Sequence, residues 1–135
     1  GVNILFQLTE YASKLFNKVG GYDVYGFEIH HRGKMDSPSG TAKKISNIII
    51  DNFDRKTELQ DNKVNRKIED HELHFASIRG GFNPGFHEVI FDSLADELRL
   101  THYARGRKAF AQGAITAAEF IENKKGFYTI DDLFK

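Results

Sequence analysis

The sequence contains no cysteine and no tryptophan, and it has only two prolines and one methionine. Without cysteine the chain can form no disulfide bond, thiolate nucleophile or cysteine-ligated zinc site. This absence suits a reducing compartment, so we expect a cytoplasmic protein. No apolar run approaches the roughly 20 residues of a membrane span, and no secretory signal is visible, so we expect no membrane partner.

An excess of charge is also missing, because 19 Lys and Arg balance 19 Asp and Glu. A protein that binds nucleic acid through phosphates needs a basic excess or stripe, so we expect no nucleic-acid partner. A local basic pocket for a small anion is compatible with zero net charge. With 135 residues, of which 40% are hydrophobic, the chain has the length and composition of a single domain.

Apolar periodicity predicts alternating helices and strands. Helices are predicted over residues 2–18, 41–53 and 108–123. Strands are predicted over residues 22–30, 72–79, 86–93 and 97–105, with a short strand near Val64 and a capped helical turn from Thr129. The last two long strands form an antiparallel hairpin. The order indicates an α+β fold, with a mixed sheet of about four strands and helices packed on one face.

Two apolar stripes and one apolar hairpin define the expected packing. The stripe of the first helix is Leu5, Leu8, Ala12, Leu15, Phe16 and Val19, and that of the second is Ile45, Ile48, Ile49 and Phe53. The hairpin residues Val89, Phe91, Leu98 and Leu100 could supply a surface for self-assembly.

His30, His31 and Lys34 lie within five residues, where a predicted strand passes into a loop. Loops held by rigid elements often carry catalytic groups. A histidine can exchange a proton near neutral pH, and a lysine beside it supplies positive charge and a proton donor. Taken alone, these three residues could equally form a solvated basic loop.

Ser39, Gly40 and Thr41 follow at the predicted start of a helix. The free amides there, together with the helix dipole, favour an anion such as a carboxylate. Taken alone, Ser39 could be only the cap of that helix. In combination with the preceding histidines and lysine, the segment indicates a site for an anionic substrate that must be protonated.

The motif Glu28-Ile29-His30-His31-x-x-Lys34-x-Asp36-x-Pro38-Ser39-Gly40-Thr41 resembles the signature of the dihydrodipicolinate reductases, also called 4-hydroxy-tetrahydrodipicolinate reductases. Two further stretches agree with family motifs, namely Arg79-Gly80-Gly81 with Gly85-Phe86-His87 and the segment from His102 to Ala114. The resemblance covers essentially the whole chain but only the C-terminal half of the usual family length.

The resemblance implies an NADH- or NADPH-dependent reductase that acts on a cyclic dicarboxylate imine in lysine and diaminopimelate biosynthesis. By resemblance, His30 and Lys34 are the catalytic, proton-handling residues. The implied substrate contacts are His31, Ser39, Gly40, Thr41 and Arg107. The resemblance further implies a homotetramer, assembled through this domain with the sheets meeting at the centre.

No glycine-rich dinucleotide fingerprint follows a predicted strand, so the chain cannot hold a dinucleotide in the usual way. The family resemblance then implies that residues 1–135 form one substrate-binding, catalytic and oligomerisation domain, and that the family's N-terminal Rossmann cofactor domain is absent from this chain. The cofactor would then be bound mainly by that missing domain, and the isolated chain would be inactive.

Two other interpretations compete with this one. A non-catalytic oligomerisation module derived from the same family is the main alternative. A metal enzyme is the other, because the chain has six histidines. His71 and His74 could chelate only poorly, since on a strand their side chains would point to opposite faces. We expect no metal site.

Overall fold

The computed structural model describes all 135 residues. The elements in chain order are helix α1 (Val2–Val19), strand β1 (Asp23–His30), helix α2 (Gly40–Asn52), strands β2 (Glu58–Gln60), β3 (Glu72–Arg79), β4 (Phe86–Asp92) and β5 (Glu97–Tyr103), helix α3 (Lys108–Ile121) and a 3₁₀ helix (Ile130–Phe134). Most predicted boundaries lie within two residues of these bounds.

The strands form one mixed sheet in the order β2-β3-β1-β4-β5. Strands β1, β2 and β3 are mutually parallel, whereas β4 pairs antiparallel with both β1 and β5. The α+β class and the mixed sheet are confirmed, with five strands in place of about four.

The prediction of a strand near Val64 is wrong, because Val64 lies in an irregular segment. The short strand is instead β2, which pairs with β3 through Leu59 and Leu73. Three residues with a single apolar side chain carry too weak a period-2 pattern for β2 to be recognised in the sequence.

Helices α1 and α2 cover one face of the sheet and enclose the core. Of the predicted α2 stripe, Ile45, Ile49 and Phe53 are fully buried. The predicted α1 stripe is only partly correct: Leu5 and Ala12 are buried, but Leu8, Leu15 and Val19 are exposed. The buried face of α1 instead includes two small polar residues, Thr9 and Ser13, which an apolar pattern cannot reveal.

The expected assembly surface on the hairpin is wrong. Val89 and Phe91 are fully buried, and Leu100 packs against the same core, so these side chains point toward the helices. Because successive strand residues face opposite sides of a sheet, their neighbours form the uncovered face. That open face carries Tyr25, Phe27, Ile29, Ile78, Phe86 and Tyr103, placed side by side by the strand register.

Helix α3 stands apart from this core. None of its residues is buried, and it packs mainly on the 3₁₀ helix. The predicted cap at Thr129 is confirmed, because Thr129 and Asp132 form a reciprocal capping box. No helix in the chain combines the length and the apolar character that crossing a membrane requires.

The helix-facing side of β1 changes character along its length. Val24 and Gly26 belong to the core, whereas Glu28 and His30 are buried polar residues at the carboxyl end of the strand. The amino end of α2 lies beside that end, since the Ser39 amide donates a hydrogen bond to Glu28. The fold therefore brings polar groups of the central strand next to a helix N-terminus.

Gly26 provides a test of the packing at the centre of the sheet. A Cβ atom on Gly26 would lie 2.5 Å from Phe75 Cε2 and 2.6 Å from the Glu88 carbonyl oxygen. We expect Gly26→Ala to lower the free energy of unfolding by about 1–3 kcal/mol, because neither neighbour is free to move away. Chemical denaturation of the purified chain measures this change.

Gly113→Ala is the matched control, because a Cβ atom there meets nothing within 4 Å in the middle of α3. Alanine favours a helix over glycine by about 1 kcal/mol, so this variant should be neutral or stabilised. Equal stability of the Gly26→Ala variant and the unsubstituted chain would contradict the packing described here.

Candidate active site

The loop between β1 and α2 is held in place by main-chain hydrogen bonds to the loop after β3. The His31 amide donates to Asn83 O at 2.7 Å, and the Arg32 amide donates to Gly81 O at 3.2 Å. In return, the Gly80 amide donates to His30 O at 3.1 Å. The side chains of His31 and Lys34 therefore project from a loop whose path is fixed by its backbone.

Glu28 is the fully buried centre of the polar cluster. Its Oε1 atom accepts hydrogen bonds from the Ser39 amide (2.8 Å), Ser77 Oγ (2.8 Å) and Arg79 NH2 (2.7 Å). Burial alone would raise the pKa of this carboxyl, but the contacts with His87, Ser39 and Arg79 outweigh burial and hold the pKa well below its usual range. Glu28 is therefore a carboxylate at neutral pH.

Three histidines lie on the adjacent strands β1, β4 and β5 on the helix-facing side of the sheet. The rings of His30 and His87 meet edge to face at 5.1 Å, and His102 is paired with His87 across β4 and β5. Burial lowers the pKa of His30 below 6.5, although the charge of Glu28 partly opposes the shift. Burial also lowers the pKa of His102. The neutral imidazoles of His30 and His102 therefore prevail near pH 7.

Ser39 caps α2, as its position in the sequence allowed. Its Oγ atom accepts from the Ala42 amide at 3.1 Å, and its own amide is bonded to Glu28. The amides of the next two residues, Gly40 and Thr41, have no partner within the chain. Gly40 and Thr41 thus provide the free donors at this helix N-terminus, whereas the polar groups of Ser39 are already in use.

Lys34 lies near His30, whose pKa its charge helps to lower, and it carries an ion pair of its own. Its Nζ lies 2.7 Å from Asp36 Oδ1, and this contact lowers the pKa of Asp36. Arg79 fastens the same segment, because its NH2 group also donates to the Asp36 carbonyl oxygen at 2.8 Å. Lys34 is partly exposed and His31 is exposed, so both side chains are accessible to a ligand.

Two adjoining cavities lie at this end of the sheet. The smaller, of about 50 Å³, has His30, Thr41, Gly85, His87 and His102 among its lining residues. The larger, of about 740 Å³, is mostly apolar and lies between the start of α1, the end of β5, α3 and the 3₁₀ helix. They share Val2, His102, Ala104 and Phe110.

The structure brings some of the predicted site residues together, whereas His31, Lys34 and Arg107 line neither cavity. His30 and Thr41 line the same cavity, and Ser39 and Gly40 adjoin Thr41 at the start of α2. Arg107, in contrast, is exposed at the start of α3 and lines neither cavity, whereas Arg105 lines the larger one. The role of Arg107 stays a prediction.

Sequence reasoning assigned no site role to Glu28, His87 or His102. The sequence did contain an indication of these residues, because each lies within a stretch that resembles a family motif. The sequence does not show that three separate strands bring these residues to one place.

One group of side chains has the composition of a metal site. Atoms of Glu28, His30 and His87 lie within 4.8 Å of one another. The carboxylate charge is already paired with Arg79, and Lys34 adds a second cation nearby. This positive surrounding disfavours a divalent ion and suits proton handling at an anionic ligand.

The chain does not supply the features of a dinucleotide site. The loop between β1 and α2 contains one glycine, Gly33. The turn after β3 contains Gly80, Gly81 and Gly85 but leads into strand β4, so no glycine-rich turn joins a strand to a helix. Close approach of a pyrophosphate to the backbone relies on such a turn. The residues present therefore fit a small anion and not a nicotinamide dinucleotide.

Comparison with known proteins identifies the family of the chain. Residues 1–134 match the family described as dihydrodipicolinate reductase, C-terminus. The chain is 40% identical over 134 residues to the 4-hydroxy-tetrahydrodipicolinate reductase of Aquifex aeolicus, covering 98% of this chain and 50% of that protein. It is also 40% identical over 140 residues to the enzyme of the same name from Archaeoglobus fulgidus, covering 100% and 53%.

The fold has a counterpart among solved structures. A dipicolinate-bound dihydrodipicolinate reductase from Paenisporosarcina sp. TG-14 superposes with a TM-score of 0.69 at 21% identity, covering 98% of this chain and 52% of that one. The chain spans about half the length of the curated relatives it matches. On the sequence match over residues 1–134, the chain belongs to the dihydrodipicolinate reductase family and corresponds to its C-terminal part.

Proposed function

We propose that this chain is the substrate-binding and catalytic half of a 4-hydroxy-tetrahydrodipicolinate reductase. The reaction is the NADH- or NADPH-dependent reduction of a cyclic dicarboxylate imine in lysine and diaminopimelate biosynthesis. The observation that carries the proposal is that the N-terminus of helix α2 and a row of three histidines, two of them buried, line the same cavity. Membership of the family and the match to enzymes of that name support it.

The amino end of α2 would hold one substrate carboxylate. The amides of Gly40 and Thr41 are free, and the Thr41 side chain adds a hydroxyl beside His30. A helix N-terminus attracts an anion through these amides and through its dipole. Ser39, as the cap of α2, would stabilise the helix end that binds the carboxylate. His31 and Arg107 would complete the substrate contacts.

Protons would be handled by Lys34 and His30. Reduction of the ring adds a hydride, which the cofactor supplies, and a proton, which an acid must supply. Lys34 is cationic and partly exposed, so it fits the donor of that proton. Burial keeps His30 mostly neutral, so His30 fits a group that accepts a proton and passes it on.

The other half of the complete protein would bind the nicotinamide cofactor. The relatives are about twice as long as this chain, and this half contains no dinucleotide fingerprint. We propose that residues 1–135 form one domain for substrate binding, catalysis and assembly, next to a separate Rossmann domain.

The open sheet face would be the assembly surface of a cytoplasmic homotetramer. It carries a group of aromatic and aliphatic residues beside the ion pair of Glu88 and Arg99, and of these residues Tyr103 and Ile78 are about half exposed. A second copy of this chain is the natural occupant, because a flat sheet face can pair with the same face of its copy. An assembly module without catalysis would use this face but would not need the polar cluster.

Binding of dipicolinate to the purified chain tests the substrate site. Dipicolinate, the ligand of the solved relative, is a planar ring with two carboxylates. We expect calorimetry to detect binding, and Lys34→Gln to weaken it about tenfold to a hundredfold, because a charge-assisted hydrogen bond is worth about 1.5–3 kcal/mol.

Lys43→Gln is the matched control, since it removes the same charge from an exposed position on α2. It should leave the affinity nearly unchanged. Absence of dipicolinate binding, or equal losses in the two variants, would count against a substrate site at Lys34.

Turnover tests the division of labour between the two halves. We expect the 135-residue chain, mixed with substrate and either NADH or NADPH, to show no steady oxidation of the cofactor by absorbance. A complete reductase such as the one from Aquifex aeolicus, assayed in parallel, shows that the reagents are competent. Steady oxidation by the chain alone at ordinary enzyme rates would refute this division.

Light scattering tests the assembly surface. We expect the chain to have the mass of a tetramer, and Ile78→Lys to reduce that mass, because a lysine ammonium would be buried without a partner between two sheets. Leu94→Lys, at the fully exposed turn between β4 and β5, is the control and should not alter the mass. A monomeric unsubstituted chain would contradict the proposal.

A further inference from the structure

We propose that Glu28 is a positioning residue that keeps the proton of neutral His30 on Nδ1 and leaves Nε2 free to act at the cavity. The same carboxylate ties His30 to the amino end of α2. The inference deepens the proposed function, because the catalytic role of His30 rests on that function. The effect of Glu28 on the tautomer of His30 can be tested without substrate.

The two carboxylate oxygens of Glu28 have different surroundings. Oε1 accepts all three hydrogen bonds of the carboxylate, from the Ser39 amide, Ser77 and Arg79. These bonds and the charge of Arg79 compensate the burial of the carboxylate. If Glu28 had only a structural role, the three hydrogen bonds of Oε1 would be sufficient for it. The position of Oε2 therefore needs a separate explanation.

Oε2 faces two imidazole rings. It lies 3.2 Å from His30 Nδ1 and 3.3 Å from His87 Nε2. Neither Oε2 nor His30 Nδ1 has an aligned hydrogen bond to any partner, so the carboxylate acts on the His30 ring through its charge. Because an ionised carboxylate can only accept, a ring nitrogen at this distance is stabilised when it carries the proton and repelled when it presents a lone pair.

The proton on Nδ1 leaves Nε2 of His30 as an acceptor. That atom lies at the wall of the smaller cavity, where a Cβ atom added to Gly85 would stand 3.3 Å from it. Glycine at position 85 thus keeps the space in front of Nε2 open. In carboxylate–histidine pairs, fixing the tautomer in this way determines which nitrogen can exchange a proton with a ligand.

No other group around His30 can replace Glu28. The charged and titratable neighbours are Glu28 on β1, His87 on β4, Arg79 on β3 and Lys34 in the loop. Three of them disfavour a proton on His30, and Glu28 alone favours one. Loss of its charge would leave His30 without any electrostatic preference for a proton on Nδ1.

Glu28 also fixes the distance between the two parts of the site. Oε1 holds the amide of Ser39, the cap of α2, while Oε2 faces His30 on β1. The free amides of Gly40 and Thr41 follow directly after that cap. One buried side chain therefore sets where a bound carboxylate would lie relative to the imidazole.

The test is the tautomer of His30, measured by long-range ¹H–¹⁵N correlation on the ¹⁵N-labelled chain above the pH of histidine titration. We expect the Nδ1-protonated form in the unsubstituted chain. In Glu28→Gln, the amide oxygen should turn to Ser39 and Arg79, so its NH₂ group would face His30 and transfer the preference to the Nε2-protonated form. His30→Asn assigns the signals by their loss.

Ser77→Ala is the control, because it removes one hydrogen bond from Oε1 and retains the carboxylate charge. It should leave the His30 tautomer unchanged, whereas a merely structural role of Glu28 predicts similar spectra for both variants. An Nε2-protonated His30 in the unsubstituted chain would overturn the proposal, as would an unchanged tautomer in Glu28→Gln.

If Glu28→Gln does not fold, the tautomer of the unsubstituted chain still decides. Failure of dipicolinate to bind would contradict the proposed function but would leave this measurement intact, so the two failures can be told apart.

Discussion

The ionised carboxylate of Glu28, buried in the central strand, is the interaction on which the site depends. A charge without compensation in a sheet would be strongly unfavourable, so its neighbours are constrained to be donors or cations. Ser39, Ser77 and Arg79 meet this requirement from α2 and β3, and His30 and His87 approach from the other side. The position of the helix cap, the orientation of Arg79 and the packing of the histidine rings follow from this one charge.

The division of the sheet into an apolar and a polar end has the same origin. Toward the start of β1 the helix-facing residues pack among Phe75, Val89 and Phe91 and stabilise the fold. Toward its end the same face carries Glu28 and His30, and the helices no longer cover it completely, so that cavities form. The core supplies rigidity to groups whose own burial is unfavourable, which is typical of a functional site.

Much of the fold could be predicted from the sequence, because the long helices and strands have strong apolar periods. The short strand β2 and the buried face of α1 could not, since Leu59 stands alone and Thr9 and Ser13 are polar. The faces of the β4–β5 hairpin were interpreted wrongly for a related reason. Alternation identifies two faces of a strand, but only the position of the helices decides which face is covered, and both faces here carry apolar residues such as Phe86 and Phe91.

The candidate site was predictable where its residues are close in sequence. His30, Lys34 and Thr41 belong to one strand-loop-helix segment, and their spacing predicted a site that exchanges protons and binds an anion. His87, His102 and Arg79 come from other strands, and only the register of the sheet brings them near Glu28. Ser39 was predicted as a substrate contact from its position in the sequence. In the structure its hydroxyl and amide form hydrogen bonds within the fold, which the sequence could not reveal.

The loop after β1 is fastened largely through its main chain, by the amides of His31 and Arg32 and by the Asp36 carbonyl oxygen, which Arg79 holds. Its shape is therefore largely independent of the identity of residues such as His31, Arg32 and Met35. Mutations at these positions can change the charge and size presented to a ligand without disturbing the scaffold. Such a separation allows the sequence of the loop to diverge while the architecture persists.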